Sequence, residues 1–331
     1  MTAVHACAQV KAAPLQIAYE PAAVMAAPLR DDVLAAIGFA GQVATDDPRQ
    51  LVVPLHTVDD SPAPVEIWRV DGHVRHGRDD GLAWSEGGGY LFVALRLDEA
   101  AHGGPDGAAE HAYRRLLAGV RDRGYPNLLR AWNYLGDINL GDGDGERYRH
   151  FSIGRARGMG DWPAAEFPAA TAIGHMHPDR ELLVYALAAR QPGQPVENPR
   201  QVSAYHYPRQ YGPVPPSFAR AMRVHTDPGT LLISGTASVV GHATAHVGDA
   251  AAQAVETLRN LDSLVRTAGL GPRLDRRGAC LKAYLRHREH APALRAALAD
   301  AGIPPQQVLF LHGDICRSEL LLEIDGSFIA T

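Results

Sequence analysis

The chain has 331 residues, 46% hydrophobic and 21% charged, with a formal net charge of −5. That length can bury a large core in two domains or one large one, and the acidic balance offers no general attraction for nucleic acid or an anionic membrane. An anionic ligand must therefore be met by a local cluster of arginines, because Lys11 and Lys282 are the only lysines.

Schiff-base chemistry needs a lysine amine. Lys282 alone lies within apparent folded sequence, which weighs against that class. Three cysteines, Cys7, Cys280 and Cys316, cannot build a disulfide framework. No charged-then-apolar leader opens the chain, and no apolar run approaches the ~18 residues of a membrane span, so a cytoplasmic protein is expected.

Residues 1–30, rich in Ala and Pro, read as a mobile start or an edge strand. The first strong strand is Tyr90–Leu97, introduced by Gly87–Gly88–Gly89. A helix is expected over Ala108–Arg123, with Ala112, Tyr113, Leu116, Leu117 and Val120 on one face; Gly124, Tyr125 and Pro126 stop it. Leu128–Tyr134, Tyr148–Ile153 and Leu182–Ala189 read as strands. Residues 191–217 form a long irregular stretch whose rings (Tyr205, His206, Tyr207, Tyr211) favour order, and such loops tend to be functional.

Further on, strand Thr230–Ser234 precedes a helix over Asp249–Thr267 with an apolar stripe of Ala251, Val255, Leu258, Leu261 and Val265. Strand Cys280–Arg286, helix Pro292–Ala301 and strands Gln306–Leu311 and Glu319–Ile324 complete the chain. Strand, helix and strand recur in similar order around 90–134 and 230–286, which predicts a mixed α+β fold with a duplicated unit.

The most informative group is Cys316–Arg317 followed by Glu323 among Leu320, Leu321, Leu322 and Ile324. Desolvation raises the pKa of a carboxyl placed among leucines, which suits a general acid near neutral pH. A nearby arginine could grip a small carboxylate by a forked contact. The competing reading is a salt bridge at the core edge with Cys316 as filler. Alternation along the expected strand sets Glu319, Leu321 and Glu323 on one face, where two acids need a polar cavity.

In Tyr148–Ile153 and beyond, Arg155 falls at the end of an expected strand and Arg157 follows, a possible anion site. His242 and His246 have helical ligand spacing but sit in a turn-like Gly–His–Ala–Thr–Ala–His–Val–Gly run without a companion glutamate. His175 and His177 have no further support, and no metal site is expected. Asp142–Glu146 lacks the full calcium-loop pattern and reads as a solvated turn. There is no phosphate-binding glycine loop, dinucleotide fingerprint or nucleophile elbow.

Two family resemblances bear on this. The segment Gly229–Leu270 with the Cys316, Arg317 and Glu323 tail resembles the small trimeric YjgF/Rid family, and it covers only the last third. The fuller resemblance is to the chorismatase family. It rests on Ala131–Trp132–Asn133–Tyr134 with Asp137–Ile138–Asn139, Arg147–Tyr148–Arg149 with Phe151 and Gly154–Arg155, and Ala170–Gly174. Tyr205–Pro213, Ser234–Ser238 with Gly241, and His312–Arg317 extend it.

That resemblance implies an α+β (mixed α/β) fold of two pseudo-duplicated YjgF/Rid- and chorismate-mutase-like β-sheet-plus-helix units. The division expected is an N-terminal α+β domain over 1–217 and a Rid-like domain over 218–331 carrying the catalytic glutamate. The implied reaction splits chorismate, a dicarboxylate vinyl ether, into pyruvate and a ring acid without metal or cofactor.

Under this resemblance Glu323 gives or relays the proton, and Arg155 with Tyr148 anchors one carboxylate. Tyr205, Tyr207, Arg209, Tyr211 and Arg220 are the pool for the other, with Arg286 and Arg317 also eligible. Ala237 and Cys316 line the ring pocket and bear on the product. Cys316 points to 3-hydroxybenzoate, with 4-hydroxybenzoate or a dihydroxycyclohexadiene acid as alternatives. A Rid-type imine or enamine deaminase and a metabolite-binding module are the rival readings. No nucleic-acid or membrane partner is expected, and both a pseudo-oligomeric monomer and a trimer stay open.

Overall fold

A computed structural model describes residues 14–59, 62–177, 179–226, 228–271 and 278–329; Cys7 and Lys11 lie outside them. Strands β1 (Leu15–Glu20), β2 (Val33–Phe39), β3 (Gln50–Val53) and β4 (Val65–Val70) form a first sheet in the order β1-β4-β2-β3. β1 is an edge strand, one of the two outcomes expected for the chain start. The strands within 33–87 are the ones that periodicity misses. β2 is buried at every residue, so it shows no alternation by which to separate a strand from a buried helix.

The next unit runs β5 (Arg75–Asp79), β6 (Leu82–Gly87), β7 (Tyr90–Asp98), α1 (Pro105–Asp122), β8 (Asn127–Gly136), α2 (Arg147–Met159), β9 (Ala169–His175) and β10 (Glu181–Ala189). The last runs β11 (Gln194–Val196), β12 (Ala221–Val224), β13 (Thr230–Thr236), the short pair β14 (Val239–Val240) and β15 (Ala243–Thr244), α3 (Ala250–Thr267), β16 (Ala279–Leu285), α4 (Ala291–Asp300), β17 (Val308–His312), β18 (Asp314–Ile315) and β19 (Leu322–Ile329). β11 pairs with β12 across the division expected at 217/218.

The duplication is explicit in the topology. One sheet reads β9-β8-β10-β7-β6-β5, with β18 added at the β9 edge, and the other reads β17-β16-β19-β13-β12-β11. Each has one parallel pair, β8/β9 and β16/β17, produced by a helical crossover. The closing strand, β10 or β19, returns antiparallel between the older strands in both units.

Each sheet buries one face under its own two helices, and the other faces meet in a central core drawn from all three sheets. In β19, Leu322, Ile324 and Phe328 pack toward α3 and α4. Strand alternation therefore turns Glu323, Asp325 and Ser327 inward. Among the described residues, no helix is long and apolar enough to cross a membrane.

Three sequence expectations need correction. The buried stripe of α3 is Ala254, Leu258, Leu261, Leu264 and Val265, whereas Ala251 and Val255, expected on it, are exposed. Tyr148–Ile153 is not a strand but part of α2, whose Gly154 and Gly158 lie against the backbone of α1 at Asp106 and Glu110. Two glycines lower helix propensity, and the packing they permit outweighs that cost. The last strand begins at Leu322 rather than Glu319, because a side chain of α3 takes the backbone groups of Glu319 and Leu321 out of the sheet. Gln253 Nε2 donates to Glu319 O at 3.0 Å, and Leu321 N donates to Gln253 Oε1 at 2.9 Å.

Candidate active site

A cavity of about 370 Å³ opens between the two duplicated units, and its lining includes Tyr148, Arg155, Thr171, Tyr207, Arg220, Gly235, Ala237, Cys316, Arg317 and Glu323. The helical form of α2 brings its first two together. Positions 148 and 155 are seven apart, which is two helical turns and one face; on a strand they would point opposite ways.

Arg155 is 4% exposed, and its Nε and Nη2 have no hydrogen-bond partner among the described residues. Its guanidinium lies 4.9 Å from the Tyr113 ring centroid, and Tyr113 OH donates to Asn133 Oδ1 at 2.8 Å. The ring holds the cation in place without using its donors. Unpaired buried donors cost stability, and a carboxylate of the right geometry would satisfy them.

Opposite stands Glu323, 4% exposed. Burial pushes its carboxyl up to about 8; Asp325 adds to the rise, and Arg130 and Arg220 oppose it. Near neutrality it therefore holds a proton at the cavity wall. Burial also pushes the Cys316 thiol up to about 12, with Glu323 contributing, so the sulfur stays protonated. Burial, followed by Cys316, holds the Tyr148 phenol well above its ordinary range, and the ring stacks on Phe151 at 6.2 Å.

The 205–220 stretch supplies the far wall. Arg220 Nη2 donates to Val202 O at 2.7 Å and to Tyr207 OH at 2.6 Å. Arg317 sits over the rings of Tyr211 and Tyr207 at 4.0 and 4.9 Å, and its Nη1 donates to His242 O at 2.8 Å. Tyr211 OH meets His242 Nδ1 at 3.1 Å. His242 is thus a support for the aromatic wall.

Three expected residues stand outside this lining. Arg209 is exposed and pairs with Asp144 at 2.5 Å. Tyr205 packs edge-on against Phe167 at 5.7 Å. Arg286 pairs with Asp314 at 2.6 Å and donates to the carbonyls of Ile315, Arg317 and Leu320. It braces the loop that carries Cys316 and Arg317. Arg157 is also diverted, to Asp106.

Sequence reasoning gave no role to Thr171, Gln201, Phe218 or Gly235, all of which line the cavity. Thr171 and Gly235 lie inside the short motifs quoted for the resemblance, which was the only available signal. Gln201 Oε1 is buried and unpaired, while its Nε2 donates to Val239 O at 3.1 Å.

Comparison with known proteins agrees with this architecture. Residues 66–188 match the family model "Chorismatase FkbO/Hyg5-like, N-terminal". The chain is 37% identical over 276 residues to a 3-hydroxybenzoate synthase of Streptomyces hygroscopicus, covering 79% of this chain and 80% of that one. It is 38% identical over 293 residues to a chorismatase of Streptomyces rapamycinicus, covering 84% and 86%. A chorismatase crystal structure superposes with a TM-score of 0.85 at 33% identity, over 97% of this chain and 100% of that one. Such identity across most of both chains, with one shared fold from end to end, makes this chain a member of the chorismatase family.

Proposed function

We propose that the protein cleaves the enolpyruvyl ether of chorismate to give pyruvate and 3-hydroxybenzoate. The observation that carries the reading is Glu323: a buried carboxyl that keeps its proton near neutrality and faces a cavity rich in arginine.

The residues suggest an order of events. Arg155, with Tyr148 beside it, takes one carboxylate of the substrate. Arg220 and Arg317, framed by Tyr207 and Tyr211, take the other. Glu323 then donates its proton to the enolpyruvyl methylene, and the adjacent carbon becomes oxocarbenium-like. The ring C3–O bond breaks as the neighbouring 4-hydroxyl oxygen closes onto C3, releasing pyruvate. The hydroxyl proton restores Glu323, and the 3,4-epoxide so formed opens at C4 and aromatises to 3-hydroxybenzoate. Pyruvate and hydroxybenzoate together contain the atoms of chorismate, so this route consumes no water, whereas the dihydroxycyclohexadiene route consumes one. The protonated Cys316 thiol favours the former because it can shuttle a proton where water would otherwise stand. Ala237 narrows the ring pocket from the opposite strand region.

The part over 1–217 would then supply Tyr148, Arg155 and Tyr207, and the part over 218–331 the proton donor. A monomer and a trimer both stay compatible with this reading, and size-exclusion chromatography with light scattering separates them. A cytoplasmic location belongs to the same reading.

The test is incubation of purified protein with chorismate, with products resolved by liquid chromatography and mass detection. Pyruvate with 3-hydroxybenzoate is expected. Pyruvate with a dihydroxycyclohexadiene acid would replace the product and keep the reaction class. Chorismate returned intact would overturn the reading.

A further inference from the structure

Behind the cavity floor, the three sheets enclose four charged side chains: Glu66 on β4, Arg130 on β8, Lys282 on β16 and Asp325 on β19, none more than 3% exposed. Lys282 Nζ lies 2.6 Å from Glu66 Oε2 and 3.6 Å from Asp325 Oδ1, and Trp68 Nε1 donates to Glu66 Oε1 at 2.7 Å. Asp325 Oδ2 accepts from Arg130 Nη2 (3.1 Å), Trp132 Nε1 (3.1 Å), Thr171 Oγ1 (2.7 Å) and Tyr284 OH (3.0 Å). Four donors converging on one oxygen suit a carboxylate anion.

Stability is a poor reason for such a group. Well-packed apolar residues in place of a buried ion network are often neutral or stabilising. Its position suggests another. Asp325 is two residues from Glu323 on the inward face of β19, so the two carboxyl groups are neighbours. Thr171, one of its donors, also lines the cavity.

Other ionisable groups surround Glu323. Tyr284 is its register partner on β16, and Lys282 is next inward on the same strand. Arg130 comes from β8, Tyr148 and Arg155 from α2, Tyr207 and Arg220 from the segment before β12, and Cys316, Arg317 and Glu319 from the loop before β19. Asp325, fully enclosed, is the carboxylate next to Glu323 on the inward face of β19.

We propose that Asp325 is a positioning residue for proton transfer: a fixed anion, held by Arg130, Trp132, Thr171 and Tyr284 and balanced by Lys282, that keeps its neighbour Glu323 in the acid form. This rests on the reading of Glu323 as proton donor. Burial is the larger cause of the raised proton affinity of Glu323, and Asp325 is the next. Asp325 therefore tunes a donor that burial creates.

The experiment is the pH dependence of kcat/KM with chorismate for the parent protein, Asp325→Asn and Glu323→Gln. The parent is expected to lose activity above about pH 8, where Glu323 gives up its proton. In Asp325→Asn that decline is expected to move lower; a movement of about one unit gives a loss of roughly fivefold at pH 8, approaching tenfold at higher pH and small at low pH. A decline at the parental pH overturns the inference, including the case where activity falls equally at every pH, which a purely structural role would give.

Activity in Glu323→Gln overturns the underlying reading instead. Should Asp325→Asn fail to fold, Asp325→Asn with Lys282→Gln restores the charge balance of the buried cluster. Lys282 also pairs with Glu66, and Lys282→Gln leaves Glu66 a hydrogen-bond donor. A decline below the parental pH is expected there too, and its absence counts equally against the inference.

Discussion

Glu323 stands in a notch left by Gly235. A β-carbon at position 235 would collide with Glu323 Oε1. β13 slips register against β19 between Ile233 and Thr236. Ser234 secures the bulge, donating from Oγ to Ala219 O at 2.6 Å and accepting from Ala170 N at 2.9 Å. Gly235→Ala should displace the carboxyl and lower kcat on the order of tenfold to a hundredfold, with KM little changed. Steady-state kinetics check this.

The raised proton affinity of Glu323 has a stability counterpart. Its folded-state value of about 8 lies above the ordinary 4.5. Between those values the unfolded chain ionises while the folded one stays protonated, so its contribution is fully present below about pH 4.5 and is lost as pH rises toward 8. Glu323→Gln should therefore be inactive yet more stable at pH 8, by on the order of a few kcal/mol. The gain should vanish near pH 4.5. Thermal denaturation at the two pH values measures it.

Arg155 carries buried donors that nothing among the described residues satisfies. Arg155→Met should leave the empty protein as stable as the parent or more so, and weaken chorismate binding by about 2–5 kcal/mol. Calorimetric titration in a Glu323→Gln background reads the binding term without turnover. Arg209→Ala is the contrast. Its exposed pair with Asp144 lies outside the cavity, and kcat/KM should stay within about twofold.

Cys316 presents a neutral thiol to the cavity. Cys316→Ala removes the proton shuttle and admits water in its place. The product ratio should move from 3-hydroxybenzoate toward the dihydroxycyclohexadiene acid, with pyruvate released in equal amount to the ring products. Chromatographic quantitation of both ring products decides it; an unchanged ratio would remove Cys316 from product control.

Some of the site was legible because local chemistry marked it. A glutamate among leucines is anomalous in any fold, and Glu323 was visible for that reason. The strand-helix-strand repeats gave away the duplicated sheets. Other residues carried misleading local signals. Arg209 and Arg286 look as available as Arg155 in the sequence, yet Asp144 and Asp314 neutralise them. Tyr148 and Arg155 were expected on a strand, because ring-rich sequence with two glycines has weak helical character, and only packing against α1 shows why it is helical.

Composition, charge and periodicity determined that this is a mixed α+β protein that must meet anions with arginine and that carries one acid poised by burial. These follow from the side chains and their immediate neighbours, which the sequence lists. Which arginines keep free donors, which glycine makes room for the acid, and which carboxylate lies behind it were decided by tertiary structure. Those properties depend on partners far apart in the chain: Glu323 on Gly235, and Asp325 on Arg130 and Thr171. Pairing and exclusion of this kind exist only once the sheets have closed around the cavity.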